Sequence, residues 1–485
     1  MQYHDQNISI PNELLNENEK QIGIIKIKAK QNTTNLLPHQ HIVFTIDRSG
    51  SMSYVCRSKQ TKMEHIQFTL QNMIYLFSQI TTCSISIHVN VFDNETITCI
   101  HNTLVTPNKI DDLIERIKKI RPERCTNIEQ ALKTAQLDIE DYMKNNPTHN
   151  VNHIFLTDGN PTMGTKGAQY LKRLVSPLYQ NIFIGYGEDH DPYLMTQLAN
   201  NKNASYYFID ALEKASLVYG EIIHNILYKT AENTLIQMQN AEIYNYNTNE
   251  WTTELYVGDL VMESEKIFQI RSIHPNQSSF TLSYRPFSNQ SSQSNQIIET
   301  YIPIDTTDCI FYLFRQRTQE LLYEIKEITF KNNNDTGDDY YEFTSAIQYN
   351  WIPGNEYNNT YKQKDDETNE IKVKTNQFLT FMKTYIKENN MEDNKFMKML
   401  CDDLHISYST IGTKQNSIYT CARQTSQGRQ TTYHVTLHNV NNDDNDDDNI
   451  DSPYATQGIL QTMRAISQPM PHIVSNNSEM WTQSF

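Results

Sequence analysis

The segment from His41 to Ser53, His-Ile-Val-Phe-Thr-Ile-Asp-Arg-Ser-Gly-Ser-Met-Ser, constrains this chain more than any other. Val43, Phe44, Thr45 and Ile46 run without a break into Asp47, which is how a strand buried on both faces reads. Asp47, Ser49 and Ser51 then place three short oxygen side chains at alternate positions of one turn. In open α/β sheets, ligands gather at the carboxyl ends of the strands. A hard cation such as Mg²⁺ takes oxygen ligands in near-octahedral geometry and keeps some of its waters. One carboxylate and two hydroxyls supply half of such a shell. A second apolar run, Asn152 to Thr157, ends in Asp158-Gly159, and between the two lies Thr126-Asn127, opening an amphipathic helix. Asp47, Ser49, Ser51, Thr126 and Asp158 are therefore expected to converge at one edge of one sheet.

The order and spacing of these three motifs resemble the von Willebrand factor A (VWA) domain and its metal-ion-dependent adhesion site. The resemblance implies that Ser49 and Ser51 bind the metal directly and that Thr126 binds it directly or through water. It implies that Asp47 and Asp158 hold coordinated waters, and that a sixth position stays open for an Asp or Glu of a partner protein. The implied ion is Mg²⁺, with Mn²⁺ or Ca²⁺ as alternatives. One departure is visible: Cys125 stands where the family usually has Gly before the Thr. A thiol beside a helix N-terminus can be activated, but a small buried side chain is the expected role.

A β-α alternation surrounds the motifs. Met63, Ile66, Leu70, Met73, Ile74 and Phe77 fall on one helical face. Ile85, Ile87, Val89 and Val91 alternate as a strand, and Thr96 to Ile100 reads as a short edge strand. Further helices are expected around Ile110–Ile117, Ile128–Met143, Lys166–Val175 and Leu212–Leu227, with strands at Ile154–Thr157, Asn181–Tyr186 and Ser205–Ile209. His190 lies in a polar turn in which Asp191 caps a helix beginning at Pro192. No nucleophile with a base partner stands beside it in the sequence. The fold class is thus α/β, a doubly wound and mostly parallel sheet of Rossmann-like type.

After residue 228 the pattern changes to short strands between 241 and 284, which predict a small antiparallel β-sandwich. Ile22 to Lys28 is a strand placed to join it, so the α/β domain is inserted in the sandwich or followed by it. Helices follow at Thr307–Glu327, Gln377–Asn390 and Glu392–Leu404. The chain then reaches Ala422-Arg-Gln-Thr-Ser-Gln-Gly-Arg-Gln430. This order of elements, closing on that motif, resembles the VWA-plus-Vwaint architecture; no intein-type domain follows, so its autoprocessing is not implied. The expected domains are 1–37 (N-terminal segment), 38–227 (VWA), 228–305 (sandwich), 306–430 (helical region) and 431–485 (an acidic, disordered tail). Six Asp crowd residues 443–451, a solvated run without the Gly of a calcium-binding loop. Within the tail, Ile459, Leu460, Met463 and Ile466 space as one short amphipathic helix, and Trp481 and Phe485 are isolated aromatics.

A net charge of −16 argues against a nucleic-acid partner. No apolar run is long enough for a membrane span, and the polar N-terminus has no signal-peptide core. Seven scattered cysteines form no metal or disulfide pattern. Synthesis in the cytoplasm is expected and, for a chain of viral origin, association with the virion. Three function classes compete. The first is a metal-dependent protein–protein interaction module; the second is a structural or assembly component whose metal site is incidental. The third, a metal-dependent hydrolase, lacks a general base beside a free metal-bound water, so the chain is expected not to be an enzyme. Partner identity and oligomeric state are not encoded in any of these signals.

Overall fold

In the computed structural model the described residues are 22–29, 37–56, 58–210, 215–272, 274, 277–287, 297–302, 306–334, 355–413, 415–432 and 452–468. The N-terminal segment before residue 22, the acidic run at 443–451 and the aromatics Trp481 and Phe485 lie outside them.

Strand β1 (Ile22–Ala29) precedes the α/β unit. That unit runs β2 (Gln40–Asp47), α1 (Lys62–Gln79), β3 (Ile85–Phe92), β4 (Thr96–Leu104), α2 (Ile110–Lys118), α3 (Ile128–Asn145), β5 (Asn150–Thr157), α4 (Ala168–Lys172), β6 (Gln180–Tyr186), α5 (Pro192–Ala199), β7 (Ala204–Ile209) and α6 (Ala215–Leu227). Its six strands pair in the order β4-β3-β2-β5-β6-β7. All neighbours are parallel except β3 and β4. The doubly wound, mostly parallel sheet predicted from the sequence is therefore present, with β2 and β5 side by side at its centre. Helix α4 is shorter than the expected 166–175.

Ile42, Phe44, Ile46, Ile87, Val89, Ile154 and Ile182 share one apolar cluster with Met63, Ile66, Leu70 and Met73 of α1 and Val218, Ile222 and Ile226 of α6. The opposite face, under α3, adds buried polar contacts to a smaller apolar cluster of Val43, Ile139, Val151 and Tyr179. His41 stacks on Tyr142 of α3 with ring centroids 3.5 Å apart. His153 bridges Thr45 Oγ1 (3.0 Å) and Asn181 Oδ1 (3.1 Å). Asn90 donates to Asp138 of α3 (2.8 Å), and its carbonyl oxygen faces His88 Nε2 at 3.0 Å.

Next come β8 (Lys229–Gln239), β9 (Glu242–Asn245), β10 (Glu250–Thr252), β11 (Glu254–Val261), β12 (Glu265–Arg271), β13 (Ser279–Pro286) and β14 (Ile297–Ile302). They form two antiparallel sheets, β10-β9-β12-β1-β14 and β11-β8-β13, closed on Ile25, Ile27, Ile236, Met238, Leu255 and Phe268. This is larger than the sheet expected from 241–284 alone, because β8 continues almost directly from α6. β1 lies between β12 and β14, so the α/β unit interrupts the sandwich.

Helices α7 (Thr306–Asn334), α8 (Asn355–Glu388), α9 (Lys395–Thr410) and α10 (Gln415–Arg429) follow. The Ala422–Gln430 motif ends α10 as a clasp between the units. Arg315 donates to Ile267 O (2.9 Å) and Gln427 O (2.6 Å). The Gln430 side-chain amide pairs with both backbone groups of Ile267. Gly428 lies so close to Tyr246 that a β-carbon there would meet the ring at 1.9 Å. Helix α11 (Gln457–Ser467) corrects the expectation of a loose tail across 431–485. Met463 seats on Gly220 of α6, where a β-carbon would come within 2.6 Å, and Asn72 of α1 donates to Ile466 O at 2.7 Å. Ile459, Met463 and Ile466 are buried.

Candidate metal centre

The carboxyl ends of β2 and β5 bring Asp47 and Asp158 together, both fully buried. Local hydrogen bonds set the loop after β2. Ser49 N donates to Asp47 Oδ1 (2.7 Å), and Thr157 Oγ1 donates to Asp47 Oδ2 (2.6 Å). Ser49 and Ser51 hold their hydroxyl oxygens 3.1 Å apart, and Ser51 Oγ donates to Asp158 Oδ1 at 2.7 Å. Gly50 N, between the two serines, donates to Arg124 O (3.0 Å), tying this loop to the one that carries Thr126.

Asn127 caps α3 by accepting from Gln130 N (3.1 Å), which leaves Thr126 just outside the helix. Thr126 is buried. Its carbonyl accepts from Thr162 N (2.9 Å) and Met163 N (3.1 Å), in the loop after Asp158. Its Oγ1 lies 3.9 Å from where a β-carbon on Gly159 would stand. All five residues selected from the sequence thus meet at one edge of the sheet.

Two octahedral ligands at right angles, each about 2.0–2.1 Å from a cation, stand about 2.9 Å apart. The spacing of the two serine oxygens fits that. Among the described residues no three His, Cys, Asp or Glu side chains are placed to hold a metal. A cation at this edge would therefore rely on hydroxyl oxygens beside two carboxylates, a donor set suited to a hard ion rather than a soft one. Burial, and next the Asp158 charge, raise the Asp47 carboxyl to about 6, against the pull of the Thr157 and Ser49 hydrogen bonds. Two buried carboxylates side by side favour any positive charge placed between them.

Sequence reasoning missed one such charge. Lys62 Nζ sits 2.6 Å from Asp158 Oδ2. Lys62 is the first residue of α1, whose start is fixed by a capping box: Glu64 N donates to Thr61 Oγ1 (3.2 Å) and Thr61 N to Glu64 Oε2 (2.7 Å). A cation in the first turn of a helix opposes the macrodipole. That misfit was the available signal that Lys62 answers to something outside its helix.

Two other residues singled out from the sequence have structural settings. His190 is buried between Gly187 O (2.7 Å) and Tyr206 Oη (2.6 Å), with Asp191 capping α5 through Leu194 N (2.9 Å). Cys125 is exposed rather than buried. Its loop is held instead by its backbone N–H, which donates to Asn94 Oδ1 at 3.2 Å. A shallow pocket of about 320 Å³, lined by His39, Ser86, Asn102 and Tyr142 among others, opens elsewhere, by the start of β3 and the end of β4.

A family model described as the von Willebrand factor type A domain matches residues 41–220. Residues 41–220 form a VWA domain. Such domains generally mediate protein–protein interaction, some of them through a metal site. Solved structures similar to the chain include the ArnB paralog VWA2 from Sulfolobus acidocaldarius, at 14% identity and TM-score 0.45, covering 86% of this chain and 96% of that one. Another is a von Willebrand factor type A protein from Catenulispora acidiphila, at 13% identity and TM-score 0.43, covering 65% and 82%. A third is proximal thread matrix protein 1 of the mussel byssus with a zinc-occupied MIDAS motif, at 17% identity and TM-score 0.34, covering 41% and 50%. The curated proteins contain no match. Among the described residues, no helix is long and apolar enough to cross a membrane.

Proposed function

We propose that the VWA domain is a non-catalytic, metal-dependent protein-binding module. Ser49 and Ser51 hold Mg²⁺ directly, Thr126 holds it directly or through water, and Asp47 and Asp158 orient its waters. The open position receives an Asp or Glu of a partner protein. The observation that carries this reading is the pair of serine hydroxyls 3.1 Å apart, one of them bonded to Asp158, beside a buried second carboxylate. The helical region closing on the Ala422–Gln430 clasp is proposed to be Vwaint-like, a frame that holds the VWA domain against the sandwich.

The alternative, an assembly component with an incidental site, draws on Lys62, because that ion pair already places a positive charge beside Asp158. Thermal melts with Mg²⁺ and with chelator separate the two. The binding module gains about 2.7 kcal/mol at a hundredfold excess of ion over Kd. Asp47→Ala abolishes that gain and Ser49→Ala reduces it. Partner capture in a pull-down is expected to fail in chelator. No metal-dependent shift, with capture intact in chelator, favours the assembly component.

A further inference from the structure

Lys62 stands outside the five-residue set, yet it shares a carboxylate with it. Its ammonium meets Asp158 Oδ2 at 2.6 Å, while Ser51 takes Oδ1 of the same group at 2.7 Å. The Lys62 side chain is 13% exposed and that of Asp158 not at all, so bulk salt screens the pair weakly. Gly187 closes one flank, where a β-carbon would stand 3.7 Å from Nζ, and the Tyr54 ring lies 5.8 Å away.

The charges at this edge then count as follows. Two carboxylates and one ammonium leave a single net negative charge, to which the neighbouring Arg48–Asp93 ion pair (2.9 Å) adds nothing net. A divalent ion turns this into a single positive charge, and one carboxylate from a ligand brings the site to neutrality. Without the ammonium, the ion alone would neutralise the site, and an anionic ligand would leave it negative.

Resting on the proposed metal site, we infer that Lys62 is its specificity-determining residue. Lys62 weakens the hold on the ion alone and strengthens the hold on ion and carboxylate together, so the site selects an anionic ligand group over a neutral one. Coupling of this kind is reciprocal: the ligand carboxylate tightens the ion by the factor with which the ion tightens the ligand. A unit charge about 6 Å from a divalent ion, even in water-like surroundings, changes affinity about tenfold.

The test is calorimetric titration of the full chain with Mg²⁺, in chloride and in acetate at equal ionic strength, acetate serving as the carboxylate probe. Wild type is expected to bind weakly in chloride and several-fold more tightly in acetate. Lys62→Met is expected to bind about tenfold more tightly in chloride and to lose the acetate gain. Lys62→Arg keeps the charge and is expected to restore the wild-type pattern. Equal Mg²⁺ affinity for wild type and Lys62→Met overturns this inference and leaves the metal site standing. Weaker binding by Lys62→Met, in a chain that melts like wild type, reduces Lys62 to a prop for Asp158 and also overturns it. The wild type alone suffices if the Met variant does not fold, since Mg²⁺ affinity indifferent to acetate defeats the coupling. No Mg²⁺ binding by any variant in either anion removes the metal site and this inference together.

Discussion

From strand β3, Ile85, Ile87, Val89 and Val91 face one side of the central sheet, and Ser86, His88 and Asn90 face the other. All are buried. The first face is closed by hydrocarbon from α1 and α6. The second, under α3, combines a small apolar cluster of Val43, Ile139, Val151 and Tyr179 with paired polar groups: His153 with Thr45 and Asn181, Asn90 with Asp138, and Ser86 with both His41 (2.7 Å) and Tyr142 (3.2 Å). The two solutions differ in what they tolerate. Hydrocarbon packing is indifferent to pH and sensitive to volume. A buried polar network is sensitive to the protonation of each member.

The contrast breaks most visibly on the apolar face. Phe44→Ala should cost about 3–5 kcal/mol by cavity formation, and denaturant melts at pH 7 and pH 5 should show the same loss. Acid should act on the other face. Burial holds His41 at about 3, and His39 and His153 at about 4. Neighbouring histidines lower the first two further, and His88 lowers His153 against the hydrogen bond that its ring donates to Asn181 Oδ1. These groups bind protons more readily unfolded, so the stability they contribute is present above about pH 6.5 and is lost as pH falls toward 4. His153 alone accounts for about 3 kcal/mol across that window. His88 works in the opposite sense: despite burial it is raised, by Asp138 and its hydrogen bonds. His153→Leu should flatten the acid limb while costing about 1–3 kcal/mol at pH 7 through the partners it leaves unpaired; an acid limb unchanged in that variant would locate the sensitivity elsewhere. The smallest expected effect is at His41, whose Nε2 is buried with no hydrogen-bond partner among the described residues. His41→Phe keeps a ring against Tyr142 and should stay within about 1 kcal/mol of wild type at pH 7, yet be the more stable chain at pH 5.

The apolar face of β3 was legible because Ile and Val at every second position have one physical reading. Its polar face was not, since Ser86, His88 and Asn90 between them read equally well as a solvated face. Only α3, closing from more than forty residues away, decides it. The candidate site shows the same division. Asp47, Ser49, Ser51, Thr126 and Asp158 were legible because each ends or opens an element. Lys62 was not singled out, because its partner is 96 positions distant. In the last helix, Ile459, Met463 and Ile466 announced an amphipathic stripe, but the seat made by Gly220 on α6 leaves no mark near them. Cys125 was misjudged for a related reason: its small size suggested burial, while a polar backbone contact was enough to hold its loop.

Strand β1 carries a consequence for time. Ile22 pairs with Arg271, and Ala29 with Ile297, so an early strand has neighbours that are synthesised only after the whole α/β unit. At roughly 5–20 residues per second, β1 waits on the order of ten to fifty seconds for them, while the VWA domain between them can already close. An unpaired Ile-Gly-Ile-Ile-Lys-Ile-Lys-Ala segment is a template for the wrong strand. Lys26 and Lys28, which the finished sandwich leaves partly buried and exposed, then act during the wait, when their charges keep a second such segment from pairing with the first.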